Sequence, residues 1–153
     1  MALSSIIQSS GTECVRQFAV YVENKVGRLN DVISSLRGHG VHIMALTTLE
    51  TTDVTIVRIV PNYPADARKA FEQEGFTFVE CPIVAVELNT EEDLPRVTSA
   101  LLEAEINIHY LYPFLARPGG KSALAMRVED MDVALETLSH RQIRILSLED
   151  IAR

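Results

Sequence analysis

The chain is poor in cysteine and in positive charge, and no stretch of it is uniformly apolar. Among 153 residues the cysteines are two, Cys14 and Cys81. Neither sits in a Cys-x-x-Cys pair or at a metal-ligand spacing, so they read as free thiols of a cytosolic protein rather than as a disulfide. No run approaches the ~18 apolar residues of a membrane span. The opening "MALSSIIQSSG" lacks the basic start of a signal peptide. A cytoplasmic protein with no membrane contact is therefore expected. Acids outnumber bases 21 to 14, for a formal net charge of -7, which does not suit a phosphate-backbone partner and argues against nucleic acid. The histidines (His39, His42, His109 and His140) have no Cys or carboxylate at metal spacing, so no metal is expected. GxSxG, P-loop and GxGxxG patterns are missing, and Ser34 and Ser35 fall inside a predicted helix with no base implied nearby. With no catalytic constellation in view, the chain reads as a non-enzyme without a cofactor.

What is present is a repeat. Setting Leu29 over Leu94, an offset of 65, brings Val32 onto Val97, Leu36 onto Leu101, Val41 onto Ile106, Ile43 onto Ile108 and Leu46 onto Leu111. Past the insertion at "ARPGGKS" the offset becomes 69, with "TIVRIV" over "LAMRVE" and Arg58 on Arg127. It then settles at 67, where Ala67, Phe71, Phe76 and Phe78 meet Ala134, Leu138, Ile143 and Ile145. The three registers change only where loops are expected.

Each copy reads β-α-β-β-α-β. In residues 17–23 Phe18, Val20 and Val22 alternate onto one face, as in a half-buried strand. From Leu29 the spacing of Val32, Ile33 and Leu36 is helical, and Gly38 and Gly40 supply stop signals. Strands follow over 41–49 and 54–60. Pro64 opens a second helix that Gly75 ends, and "FTFVE" is the fourth strand. The second copy gives strand 82–88, helix 94–104, strands 106–115 and 122–128, helix 130–139 and strand 143–148. This order predicts an α+β fold of two ferredoxin-like units, each an antiparallel sheet with its helices on one face. Expected boundaries are an N-terminal arm over 1–15, a first unit over 16–80 and a second over 81–153. Ala19, Tyr21, Met44, Leu46, Ile56 and Ala125 fall on the uncovered face of their sheets and call for a cover, either the other copy or a second chain.

The turn "ENKVGRL" is the first candidate for binding. A helix start leaves backbone N–H groups unpaired and carries partial positive charge, so it suits a carboxylate or phosphate. Gly27 lets the backbone turn sharply and a ligand approach, Arg28 adds a full charge, and Asn24 both donates and accepts. The alternative is a plain turn with solvated Lys25 and Arg28. In the second copy "NTEEDLP" puts Glu91, Glu92 and Asp93 at the same place. There Thr90 or Asp93 caps the helix and an incoming carboxylate meets negative charge. Asn107, between Ile106 and Ile108, points away from the core and suits the mixed head group of an α-amino acid, or else is a solvated strand-start residue. His42 is its counterpart. His109, Tyr110 and Tyr112 line a pocket or simply pack.

With "VGRL" opening the first helix, and "VHI" or "INI" opening the second strand, the unit resembles an ACT domain, a small regulatory module of amino-acid metabolism. "ENKVGRL" and "HYLYPF" are the most specific stretches. From about Arg16 to Ile151 the chain resembles short proteins made of two ACT domains. The resemblance implies an amino acid held where two ACT domains meet. Asn24, Val26, Gly27, Arg28 and Leu29 would form the turn, and Asn107 or its counterpart His42 would come from the neighbour's second strand. His42 stands where the family often has Asn, and "TEED" replaces the glycine turn, which implies one site per chain, or two in a homodimer. The function implied is a regulatory sensor binding a free amino acid, with a metabolic enzyme as a possible partner. The first half also resembles the small subunit of acetolactate synthase, so a regulatory subunit of a biosynthetic enzyme is the alternative.

Overall fold

A computed structural model describes residues 13–152. Residues 1–12 of the expected arm, and Arg153, lie outside the described residues. The chain forms two compact units, one of residues 16–81 and one joining residues 82–152 to residues 13–15.

The first unit runs β1 (Arg16–Glu23), α1 (Arg28–Gly38), β2 (Ile43–Glu50), β3 (Val54–Pro61), α2 (Pro64–Glu74) and β4 (Thr77–Pro82). Its strands lie in the order β2-β3-β1-β4, with β3 antiparallel to both neighbours. The alternation in β1 does what it predicts: Phe18, Val20 and Val22 are buried against Val32 and Leu36 of α1 and Ala67, Ala70 and Phe71 of α2. Each large side chain buried this way contributes about 1.5–3 kcal/mol of transfer free energy.

The second unit runs β5 (Val84–Leu88), α3 (Asp93–Glu103), β6 (Ile108–Pro113), β7 (Ser122–Val128), α4 (Met131–His140) and a one-turn α5 (Leu148–Ile151). Its sheet has the order β5-β7-β6. The core is aliphatic where the first is aromatic, with Val84, Val86, Leu101, Met126 and Leu138 at its centre. The fourth strand expected over 143–148 is cut short. Arg144 and Leu146 still exchange backbone hydrogen bonds with β5, but regular pairing is limited to a bridge between Ile145 and Val86. Ser147 and Asp150 form a reciprocal capping box that starts α5 and leads the chain off the sheet. Residues 13–15 pair here as well: Cys14 bridges Ser147, and Ile83 N–H donates to the Val15 carbonyl.

The duplication is visible in the way the helices end. Val41, Phe76, Ile106 and Ile143 each donate their N–H to the carbonyl five residues back, of Leu36, Phe71, Leu101 and Leu138. This is the six-to-one bond of a Schellman motif, closed by an apolar pair. The motif needs a left-handed residue before the donor. The first copy uses Gly40 and Gly75, whereas the second forces Glu105 (φ 57°) and Gln142 (φ 61°) into that region.

One sequence expectation needs correction. Strict alternation put Leu46 with Met44 on the uncovered face. A β-bulge between Ile43 and Ala45 shifts the register, so Leu46 lies opposite Ile59 and packs against the core. The second copy has its bulge at the matching place, between Ile108 and Tyr110.

Glu80 on β4 accepts from Arg68 Nε and Nη2 at 2.7 and 2.8 Å and from Arg16 Nε at 3.0 Å. Burial is the largest influence on this carboxyl and pushes it up. The hydrogen bonds and charges of Arg68 and Arg16 together overcome that and hold it below the ordinary carboxylate value. A depressed folded pKa stabilises the fold above the unfolded value of about 4.3, and that stability is lost as pH falls through the folded value. Both arginines are more than a third exposed, which scales the cost of Glu80→Gln to about 1–2 kcal/mol at pH 7. Melting curves of the two proteins are expected to converge as pH is lowered from 5 toward 3. A constant gap across that range would remove the ionised carboxylate from the account.

Candidate functional site

The turn from β1 into α1 is held by backbone bonds: Asn24 N–H donates to the Asp53 carbonyl at 3.0 Å and Lys25 N–H to the Glu23 carbonyl at 2.9 Å. Gly27 is the N-cap of α1, in the left-handed region at φ 89°, and no side chain caps this helix. A Cβ built on Gly27 would meet no protein atom within 4 Å. Glycine is therefore present for its backbone conformation, and the space over the turn is open. Val26, at the tip, is fully exposed.

The second copy puts acids at the same place. Asp93, first residue of α3, accepts from the N–H groups of Asn89 and Thr90 at 2.6 and 3.1 Å. Those two bonds, with help from Arg96, hold its carboxyl below the ordinary value. Neither cap expected from the sequence forms: the N-cap of α3 is Glu92, without a side-chain cap, and the Asp93 side chain reaches back to the loop rather than into the helix. The first turns of the two helices also carry opposite charge orders. Arg28 opens α1 and pairs with Asp31, whereas Asp93 opens α3 and pairs with Arg96, each at 2.9 Å. An acid at a helix start complements the dipole and a cation does not. So α3 carries its acid at the first position, whereas α1 places a cation there and its acid, Asp31, three residues on.

Beside the glycine turn lies a cleft of about 260 Å³ lined by Val22, Glu23, Asn24, Lys25, Arg28, Leu29, Thr48, Glu50 and Thr55. Its size suits a ligand of few heavy atoms, since drug-sized sites run from about 300 Å³ upward. The structure thus brings Asn24, Arg28 and Leu29 together, whereas Val26 and Gly27 do not line this cleft. Asn24 spends both functions on the β2–β3 hairpin. Its Nδ2 donates to Glu50 Oε1 (2.8 Å) and to the Thr51 carbonyl (3.1 Å), and its Oδ1 accepts from Thr55 Oγ1 (3.3 Å). Asn24 therefore fixes the cleft wall. Lys25 pairs with Glu23 at 2.9 Å, and that hydrogen bond and charge lower the Glu23 carboxyl. The Arg28 guanidinium is engaged by Asp31 and sits 5.9 Å from the Phe76 ring centroid.

His42 and Asn107 are both exposed, each in its own unit, and they are structural equivalents. Each carbonyl accepts an N–H from the residue just after the third strand, Asn62 in one copy and Glu129 in the other, at 3.1 and 2.9 Å. His42 N–H also binds the buried Asn62 side chain at 2.9 Å. Tyr112 is buried and stacks with Tyr110 at 6.3 Å, which is the packing reading of these aromatics.

Sequence reasoning missed Glu50, Thr48 and Thr55 as cleft walls. They come from the β2–β3 hairpin, and nothing local marks a hairpin residue as facing a turn some thirty positions earlier. It also missed Glu87, a buried carboxylate on β5 flanked by Lys121 (3.6 Å) and Arg144 (3.4 Å). Among the described residues no helix is long and apolar enough to cross a membrane, and no group of three His, Cys, Asp or Glu is placed to hold a metal.

The family model of the ACT domain pair matches residues 13–153. A solved protein of Bacteroides thetaiotaomicron is similar at 26% identity over 94% of this chain and 99% of that one, with a TM-score of 0.83. The regulatory subunits of aspartate kinase from Thermus thermophilus and Thermus flavus share the fold. They have TM-scores of 0.58 and 0.57, at 12% and 13% identity, over 85% and 86% of this chain and 93% and 94% of theirs. No curated protein matches the sequence.

Proposed function

The chain belongs to the ACT domain pair family, and we propose that it is a regulatory protein that binds a free amino acid at the glycine turn of its first unit. The observation that carries this reading is the contrast between the two helix starts. Neither has a side-chain cap, but one opens behind a left-handed glycine with open space over it and Arg28 beside it, and the other opens on Glu91, Glu92 and Asp93. The ligand carboxylate takes the open space at Gly27 beside Arg28, where the second copy carries Glu92 and Asp93. Its ammonium is answered by Glu23 and Glu50 of the adjoining cleft. Asn107 of a second copy completes the site in a homodimer. Regulation requires the ligand to favour one association state over another. The aspartate kinase regulatory subunits of the same fold favour a catalytic chain as a further partner. An acetolactate synthase subunit remains the sequence-based alternative.

Thermal unfolding against each of the twenty standard amino acids tests the reading. At ~100 times its dissociation constant a ligand adds about 2.7 kcal/mol, a rise of several degrees for a chain of this size. One or two amino acids are expected to give that rise. No rise with any of them would leave the regulatory-subunit reading, which co-purification with a larger catalytic chain checks.

A further inference from the structure

A second cleft in the first unit, of about 330 Å³, lies between α1 and the α2–β4 junction and is lined by Arg28, Asp31, Ser34, Ser35, Glu74 and Phe76. It shares Arg28 with the glycine-turn cleft and nothing else. Two polar atoms of its lining are orphans. Ser35 is only 8% exposed, and its Oγ has no hydrogen-bond partner among the described residues. Arg28 Nε is buried and unpartnered in the same way, although Nη1 of that side chain holds Asp31. Buried donors and acceptors are nearly always paired, so two orphans in one cleft require an explanation.

The repeat supplies the control. At offset 65 Ser35 becomes Ala100, a fully buried residue with nothing to satisfy, and Arg28 becomes Asp93. At offset 67 Glu74 and Phe76 become Arg141 and Ile143. The matching groove is lined by Pro95, Arg96, Ser99 and Arg141. Arg96 Nη2 donates to the Arg141 carbonyl at 2.9 Å, which ties its walls together. The second copy thus meets its own polar demands, and the first does not.

We propose that this cleft is a second ligand site, for a zwitterionic α-amino acid. The carboxylate accepts from Arg28 Nε–H and the Ser35 hydroxyl, the ammonium faces Glu74, and Phe76 flanks the carbon skeleton. The charges select this class. One cation and two carboxylates line the cleft, so a simple anion meets excess negative charge, whereas a zwitterion answers both signs. The proposal stands independently of the glycine-turn site.

Titration of ¹⁵N-labelled protein with each of the twenty standard amino acids separates the two sites. Amides of Ser34, Ser35, Glu74 and Phe76 report the cleft, and those of Val26 and Gly27 report the turn. At least one amino acid is expected to move the cleft amides saturably. Ser35→Ala should weaken that response about fivefold and Glu74→Gln about tenfold or more, while Gly27→Asp leaves it intact. Ala100 at the equivalent position indicates that Ser35→Ala folds. Cleft amides that respond to no amino acid, or respond equally in both variants, would overturn the proposal. A response confined to Val26 and Gly27 would overturn it too and support the turn site. A response confined to the cleft would do the reverse.

Discussion

Gly27→Asp is expected to abolish amino-acid binding at the turn, by more than a hundredfold, and to leave the first unit folded. The fold survives because the new Cβ meets no atom within 4 Å, and the cost is the left-handed backbone at φ 89°, about 1 kcal/mol for a residue type that tolerates it better than most. Binding is lost for the reason that the second copy makes visible. A carboxylate at this place restores the negative charge that Glu92 carries there in the second copy, competes for the uncapped start of α1, and repels an incoming carboxylate. Each charge-assisted hydrogen bond denied to the ligand is worth about 1.5–3 kcal/mol, and repulsion at ~4 Å adds about 1–4 kcal/mol. Together they exceed the ~2.7 kcal/mol of a hundredfold change. Gly27→Ala carries similar strain without the charge and is expected to cost no more than about tenfold. Amide titration followed at Val26 in the three proteins reads the result at the turn separately from the cleft under Arg28. If Gly27→Asp binds as the parent does, the ligand lies elsewhere and the turn is structural.

Much of the architecture was legible because the repeat wrote it twice. Pairs such as Leu36 with Leu101 and Phe71 with Leu138 mark both the core and the Schellman carbonyls that end each helix. A position that must be apolar and must also accept a bond from the residue five further on tolerates few alternatives. The bulges were not legible, since one extra residue in a strand leaves no mark on composition and only reverses which side chains face inward. Leu46 was misplaced for that reason. Residues 143–148 read as a strand because Ile143 and Ile145 fall on Phe76 and Phe78 of the first copy, and the capping box that ends the pairing depends on Asp150, beyond the apolar pattern.

The glycine turn was legible as a departure from symmetry. Where one copy has "KVGRL" and the other "TEEDL", the difference itself points to the half whose helix starts behind a left-handed glycine. Its supporting walls were hidden, because Glu50 and Thr55 reach Asn24 through the β2–β3 hairpin. Ser35 was hidden differently. A serine in a helix normally finds a backbone carbonyl or solvent, and only burial beside a cleft makes its unpaired hydroxyl informative.

The aromatic core of the first unit carries the other large expected effect. Phe71 is fully buried, with its ring centroid 5.7 Å from Phe18, 5.9 Å from Phe76 and 5.6 Å from Phe78. Phe71→Ala deletes the ring to which the other three converge and leaves a cavity that packed helices and sheet cannot close. The expected cost is about 3–5 kcal/mol, out of a total that seldom exceeds about 5–15 kcal/mol, and the melting temperature should fall by roughly 10 °C. Phe71→Leu installs the residue that the second copy uses at this position, Leu138, and should cost only about 1–2 kcal/mol. Denaturation followed through the amides of residues 16–81 measures both variants. Phe76 couples this core to function, since it packs on Phe71 and also lines the cleft under Arg28. Phe71→Ala should therefore weaken amino-acid binding at the cleft even at temperatures where the first unit remains folded. A variant that melts within about 2 °C of the parent would mean that the cluster collapses around the missing ring, and that Phe18 and Phe78 rather than Phe71 hold the helices to the sheet.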